Sequence, residues 1–358
     1  MNKIKVFLGG YVNFLNAQNI NCRALSEHLD KKRFEVSTML FPEVSANAHD
    51  FKPVANVRYI RAKRPMRLFS WVAYLNGIMW ADVAYLPKGE NHRFCMWIAK
   101  LCKTKLFSTL EGLISDTDLS KIKENKREQY LHSFFDFEPH FYSITRFLIK
   151  DVGRRRGYHF ASEVLYLGVN SKQFLNTLKK TDKLKNIVFI GNKLPTKNIY
   201  DFIEASILFP SIRFHIIGDY LLKESTIQEY IILHNLTNIT YHGRLDHTQM
   251  SKLLVSMDLM FFPSRSEGFP KVMLETACAG VPTLCYDDYG ADEWITSGKD
   301  GYVVHTKEEA FAVIRELMVN PEKLKELSRN AIELGKRFDW SVLVKKWEMV
   351  IEKIYNEK

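Results

Sequence analysis

The chain has 358 residues, 46 % hydrophobic and 26 % charged, enough for two domains with sizeable cores. That composition excludes a disordered, collagen-like or disulfide-framework protein; no apolar run reaches the roughly 18 residues of a spanning helix, and the start makes a poor signal peptide. The net charge of +10 sits wholly in residues 1–170, with 26 Lys and Arg against 16 Asp and Glu, while residues 171–358 carry 25 of each. Such asymmetry fits either an anionic partner for the first half or a basic solubility surface.

Short β-rich runs alternate with helical stretches throughout, the pattern of parallel sheets with crossover helices. Ile4–Leu8 reads as the first strand, Gly9-Gly10 as the turn after it, and Asn16–Leu29 as the next helix. Phe34–Leu40, Val57–Arg61, Val83–Leu86, Lys105–Thr109, Phe141–Ile144 and Val164–Leu167 read as further strands. Lys52, Arg58, Arg61, Lys63, Arg64 and Arg67 form a cationic stretch without an acid, and an aromatic-rich apolar run to Trp80 follows. Residues 52–80 therefore have the composition of an anchor on an anionic membrane surface. The other reading is a buried helix behind a solvated basic edge.

Residues 171–185 are polar and basic and read as a linker between domains 1–170 and 186–338. The second half has strands at Asn186–Ile190, Arg213–Ile217, Ile239–Tyr241, Leu259–Phe262, Thr283–Tyr286 and Tyr302–Val304. A terminal helix within 339–358 carries Val344, Trp347, Ile351 and Ile354 at helical spacing. Two doubly wound halves imply a ligand cleft facing the carboxyl ends of both sheets.

The richest stretch runs from Phe261 to Pro282. A strand ends at Pro263, a loop carries Glu267 and Gly268, and a helix starts near Pro270, which suits the first helical position. Amides around Gly268, Phe269, Lys271 and Val272, with the helix dipole, make a phosphate-sized anion site. Glu275 follows along that helix, and carboxylates bind sugar hydroxyls well. The alternative is a surface loop with two solvated glutamates.

Competing motifs are weak. Neither GxGxxG nor GxxxxGK[ST] occurs, so dinucleotide oxidoreductase and NTPase readings lack support. Asp116-Thr117-Asp118 has the DxD form but lies in a charged segment and reads as surface. The five cysteines show no CxxC spacing, the histidines form no HExxH, and His242 and His247 read as loop residues, so no metal is expected. The cysteines read as reduced thiols of a cytoplasmic protein. No nucleic-acid motif accompanies the positive charge.

Glu-Gly-Phe-Pro at 267–270, Glu275, and Ala-Gly-Val-Pro at 279–282 resemble the motif of the retaining GT-B glycosyltransferases called family 4, or glycosyl transferases group 1. Gly191 to Lys197 resembles the family's diphosphate loop, with Lys197 matching its lysine and Asn192 standing where an arginine is usual. Ile217-Gly218-Asp219, Tyr241 to Arg244, and Asp292 to Val303 resemble later segments, and Phe338-Asp339-Trp340 matches the start of the terminal helix. In the first half the resemblance is weaker: Gly9-Gly10 for the glycine turn, Glu111 where many members have a histidine, and Gly168-Val169-Asn170 at the domain's end.

The resemblance implies an α/β GT-B fold of two Rossmann-like domains with an interdomain cleft, and a terminal helix packing on the first. It implies transfer of a sugar, with retention, from a nucleotide-diphosphate sugar, expected to be a UDP-sugar, to a glycan or lipid-linked acceptor in bacterial cell-surface glycan synthesis. Glu267 and Glu111 are then the catalytic candidates. Gly10, Asn192, Lys197, Gly218, Arg244, Gly268, Phe269, Pro270, Lys271 and Glu275 are the donor-binding candidates. No cofactor, metal or nucleic acid is expected. The implied location is cytoplasmic, peripheral at the inner face of the membrane. A GT-B sugar-nucleotide epimerase and a non-catalytic sugar-nucleotide or glycan-binding protein are the alternatives.

Overall fold

The structure is a computed structural model. It describes residues 2–14, 16–42, 51–87, 92–114, 119–120, 122–135, 137–175, 182–191, 195–218, 231–233 and 235–357. The chain divides into two units, Met1–Gly168 with Trp340–Lys358, and Val169–Asp339.

The first unit is built on a six-stranded parallel sheet in the order β3-β2-β1-β4-β5-β6. Its strands are β1 (Ile4–Tyr11), β2 (Phe34–Leu40), β3 (Val57–Arg61), β4 (Val83–Tyr85), β5 (Lys105–Leu110) and β6 (Phe141–Ser143). Helices α1 (Ala17–His28), α2 (Met66–Trp80), α3 (His92–Cys102) and α4 (Glu124–Phe135) connect them. The inner strands are apolar on both faces because helices cover both; Val6, Phe7 and Leu8 in succession are fully buried. The chain steps outward through β2 and β3, then returns to β4 on the other side of β1. The topological switch point therefore lies at the carboxyl ends of β1 and β4.

The terminal helix Trp340–Asn356 belongs to this unit. Trp347 is fully buried, its ring 5.3 Å from that of Tyr85, and its indole N–H donates to the Tyr166 carbonyl at 3.2 Å. The Glu348 carboxylate accepts from the Asp30 amide and pairs with Arg33 at 2.9 Å.

Two strand-end expectations change. Gly9 and Gly10 are not a turn after β1 but a register shift within it, between Leu8 and Tyr11. A side chain at Gly10 would meet Cys22 Sγ at 2.7 Å, so the glycine lets α1 close onto the strand. Val164–Leu167 is not a strand: Val164 makes a single bridge to Ser143, and the Tyr166 carbonyl is taken by Trp347.

The second unit repeats the design, in the order β12-β11-β10-β7-β8-β9. Its strands are β7 (Asn186–Ile190), β8 (Arg213–Ile217), β9 (Ile239–Gly243), β10 (Leu259–Phe262), β11 (Thr283–Tyr286) and β12 (Gly301–Val304). Helices α5 (Ser171–Phe174), α6 (Ile199–Leu208), α7 (His247–Leu254), α8 (Lys271–Cys278), α9 (Lys307–Val319) and α10 (Pro321–Arg337) accompany them. Phe202 on α6 packs between Phe189, Phe214 and Phe261 of three strands, the centre of the core. The switch point falls at the carboxyl ends of β7 and β10.

The expected linker 171–185 is corrected at its start. Its first residues form α5, with Ser171 and Phe174 buried in the second unit. The Ser171 amide donates to the Asp339 carboxylate at 2.8 Å, and the Phe174 ring meets His247 edge-on at 5.7 Å. These contacts outweigh the polar composition that suggested a free connection.

Candidate active site

At the second switch point, two segments 70 residues apart converge. After β7 the chain turns through the short helix Pro195–Lys197, and the Lys197 ammonium donates to Glu267 Oε1 at 2.5 Å. The Ser264 hydroxyl donates to the same oxygen at 2.5 Å. The Lys197 nitrogen also lies 5.0 Å from the centre of the Phe262 ring. Both partners of the pair are largely buried, so a point charge and an oriented carboxylate are fixed together at the strand ends. The Arg265 amide, bonded to the Thr196 carbonyl at 2.8 Å, ties the two loops together.

The helix after this loop begins at Lys271, with Pro270 as its cap rather than its first residue. Proline has no N–H to lose, so either place suits it. The Phe269 ring turns inward, 5.0 Å from Trp294 and 5.9 Å from Phe338. That side chain anchors the loop, and a ligand at the helix start would meet backbone rather than the ring.

Glu275, on the second turn of α8, is buried. Its carboxyl titrates above the ordinary range because burial penalises the anion, opposed by the charges of His247 and Lys271. The His247 ring nitrogen lies 3.7 Å from Glu275 Oε1. His247 opens α7, whose Asp246 cap and Gln249 form a reciprocal capping box. His247 is thus part of this site, which its apparent loop position in the sequence did not reveal.

Gly218 ends β8, with its amide on the Gly243 carbonyl at 2.9 Å. Gly243 has φ +67°, which a side chain would strain, and Arg244 projects into solvent just beyond it. His242 lies on β9, not on a loop. Its ring stacks on His215, with His242 Nε2 2.9 Å from His215 Nδ1. Burial, with the neighbouring His242 and Arg213, lowers the His215 pKa to about 4, so this ring is neutral near pH 7. Asn192 and the pair Asp116 and Asp118 lie outside the described residues. Among the described residues no group of three or more His, Cys, Asp or Glu side chains has metal-binding geometry.

At the first switch point Glu111 follows β5. Its Oε1 accepts from the Tyr85 hydroxyl at 3.0 Å, and its Oε2 accepts from the Asn21 amide group at 2.9 Å. Tyr85 also contacts the Thr109 hydroxyl at 2.5 Å. Burial, then the Glu111 charge, push the Tyr85 hydroxyl well above its usual pKa, so it stays a proton donor. Tyr85 and Asn21 come from β4 and α1 and share no sequence motif with Glu111. Gly10 stands at the end of neighbouring β1, where Asn19 Oδ1 receives the Tyr11 amide at 2.9 Å.

The chain is similar to known glycosyltransferases in both sequence and fold. Residues 170–334 match the family described as Glycosyl transferases group 1. An uncharacterized glycosyltransferase of Methanocaldococcus jannaschii is 29 % identical over 196 residues, 54 % of this chain and 53 % of that protein. The chain thus spans about half the length of that relative. Among solved structures, the sucrose-phosphate synthase of Thermosynechococcus elongatus superposes with a TM-score of 0.75 at 14 % identity, over 99 % of both chains. Anabaena HepE in complex with UDP-glucose does so with a TM-score of 0.75 at 13 % identity, over 98 % of this chain and 100 % of the other. The two sheets have the GT-B glycosyltransferase fold.

Proposed function

We propose that this protein transfers a sugar, with retention of anomeric configuration, from a UDP-sugar to a glycan or lipid-linked acceptor hydroxyl. The observation that carries this reading is the convergence of Lys197, Glu267 and the start of α8 at the second switch point, with Glu275 one turn along. The bond between the anomeric carbon and the diphosphate oxygen breaks, the acceptor oxygen bonds to the same carbon, and the acceptor's proton passes to the departing diphosphate. Lys197 and the backbone around Gly268 and Lys271 stabilise the charge growing on the diphosphate, the kind of preorganised electrostatic help that lowers such barriers most. Glu275 accepts the ribose hydroxyls and Glu267 orients the sugar ring. Gly218 and Arg244 border the nucleobase. Glu111, held by Tyr85 and Asn21, receives the acceptor hydroxyl near Gly10. The chemistry assigned to these side chains needs no metal.

The choice of UDP is supported by the Anabaena neighbour, whose structure holds UDP-glucose. The positive charge of the first half supports an acceptor on an anionic carrier at the inner face of a bacterial membrane, in surface-glycan synthesis.

A thermal-shift panel of UDP, GDP, ADP and their sugars tests the reading. A ligand at 100 times its Kd stabilises the native state by about 2.7 kcal/mol. UDP and at least one UDP-sugar should raise Tm in the native chain and raise it less in Glu275→Ala. No shift with any nucleotide would overturn the proposal.

A further inference from the structure

We infer that α2 and α3 together form a docking face for an anionic bilayer. This extends the membrane side of the function proposed above, and rests on that reading only for what the docked protein then does.

The two helices lie side by side, with the Trp71 and Phe94 rings 4.9 Å apart and Phe94 6.3 Å from Trp97. The inward side of α2 is fixed. A side chain at Gly77 would fall 2.3 Å from the Phe7 ring, and Ala73 and Ile78 are buried. The helix cannot roll to hide its other side, where Val72 is 49 % and Met79 63 % exposed. On α3, Trp97 is 58 % and Leu101 62 % exposed, one turn apart. Large apolar side chains so exposed on two neighbouring helices mark an interaction surface rather than scattered surface residues. The helix in 52–80 is thus partly buried and partly presented, and α3, which lies outside that stretch, completes the face.

Charge selects the partner. From Phe51 to Leu110 the sequence carries eleven Lys and Arg against two acids, Asp82 and Glu90. Arg61, Lys63 and Arg64 are exposed just before α2, and Lys100 and Lys103 flank Leu101. Arg58 donates to Asn76 at 2.6 Å and lies over Trp80 at 5.0 Å. A second copy of the chain would set this basic field against itself. An anionic bilayer satisfies both parts, taking the apolar side chains among its acyl chains and the cations at its headgroups. No described helix is long and apolar enough to cross a membrane, so the contact is peripheral.

Helices α2 and α3 start from the carboxyl ends of β3 and β4, the same end of the sheet as Glu111, and the Tyr74 hydroxyl of α2 donates to the Gly9 carbonyl at 3.1 Å.

Sedimentation with vesicles of phosphatidylcholine, alone or mixed with phosphatidylglycerol, tests this without donor or turnover. The full chain should bind the mixed vesicles and release them between about 0.1 M and about 1 M salt, as the screening length falls from about 10 to about 3 Å. Replacing Arg61, Lys63 and Arg64 by Gln should weaken partition about a hundredfold, near fivefold per cation. Trp97→Ser with Leu101→Ser, both exposed and so compatible with folding, should also weaken it, while Tm stays that of the parent. Equal binding to neutral vesicles, binding that ignores salt, no binding, or self-association that these serines abolish would each overturn the inference. UDP thermal shifts on the same samples separate its failure from that of the transferase reading.

Discussion

The two units share one blueprint and were not equally open to reading. Each is a six-stranded parallel sheet whose chain reverses beside its first strand, and each puts its candidate carboxylate at that reversal. In the second unit one loop and the helix behind it supply Glu267, Gly268 and Glu275, and Lys197 and His247 come from elsewhere in the chain. In the first, Glu111 depends on Tyr85, 26 residues earlier, and on Asn21, 90 residues earlier. The same architecture thus yields a site with one contiguous stretch in one unit and a site of scattered residues in the other. Only that stretch leaves a contiguous signature in the chain.

The largest expected effect tests what holds the scattered site together. Trp347→Ala should lower stability by about 3–5 kcal/mol, since the ring is fully buried beside Tyr85. Limited proteolysis should then cut first within residues 1–168. Cleavage starting in 169–339 would break the assignment of the terminal helix to the first unit.

Next come the charged groups. Lys197→Ala should reduce turnover by about 10²–10³-fold, as loss of a preorganised donor to a developing anion does, and should weaken UDP binding. Glu111→Gln should lower turnover and leave UDP affinity at the parent value, by calorimetry. Equal loss of UDP affinity in both variants would erase the division of labour between the units.

Gly77→Ala and Gly335→Ala compare a closely packed glycine in each unit. Their added carbons would fall 2.3 Å from the Phe7 ring and 2.5 Å from Cys278 Sγ, each inside a core. Each should cost about 1–3 kcal/mol in chemical denaturation, the usual penalty of overpacking. A neutral result at either would mean that its core yields more than the distances suggest.

Titration gives the smallest effects. Because the native pKa of His215 is lowered to about 4, its neutral form stabilises the fold above the ordinary histidine value of about 6.5. That contribution is lost as pH falls from about 6.5 to 4, since the unfolded chain takes the proton first. His215→Asn should flatten this part of the Tm profile. Glu275 has the opposite sign: its native pKa is raised, so its ionised form costs stability near neutrality. Glu275→Gln should raise Tm at pH 7, and the gain should shrink as pH falls through the carboxylate range. In the same variant UDP affinity should drop.

Most strands of both halves were legible because fully covered parallel strands are short apolar runs between polar turns. The register shift at Gly9-Gly10 was not, because it depends on Cys22 and Asn19 packing against the strand end. Residues 171–174 looked like a linker because their one apolar anchor, Phe174, finds its partner 73 residues further along, at His247. The loop at 264–270 with Glu275 was visible as a motif. The pairing of Lys197 with Glu267 was not, since spacing along a chain says nothing about which strand ends become neighbours.

The terminal helix also sets a timetable. On the ribosome, residues 1–168 emerge without Trp347, and about 180 more must follow before it is made, roughly 9–36 s at about 5–20 residues per second. The second unit is contiguous from Val169 to Asp339 and has its whole sequence sooner than the first has its own. In that interval the helix α1 side of the nascent first unit lacks the cover of Glu348 on Arg33 and Asp30, and Tyr85 lacks its aromatic neighbour. The half translated first is thus the half completed last.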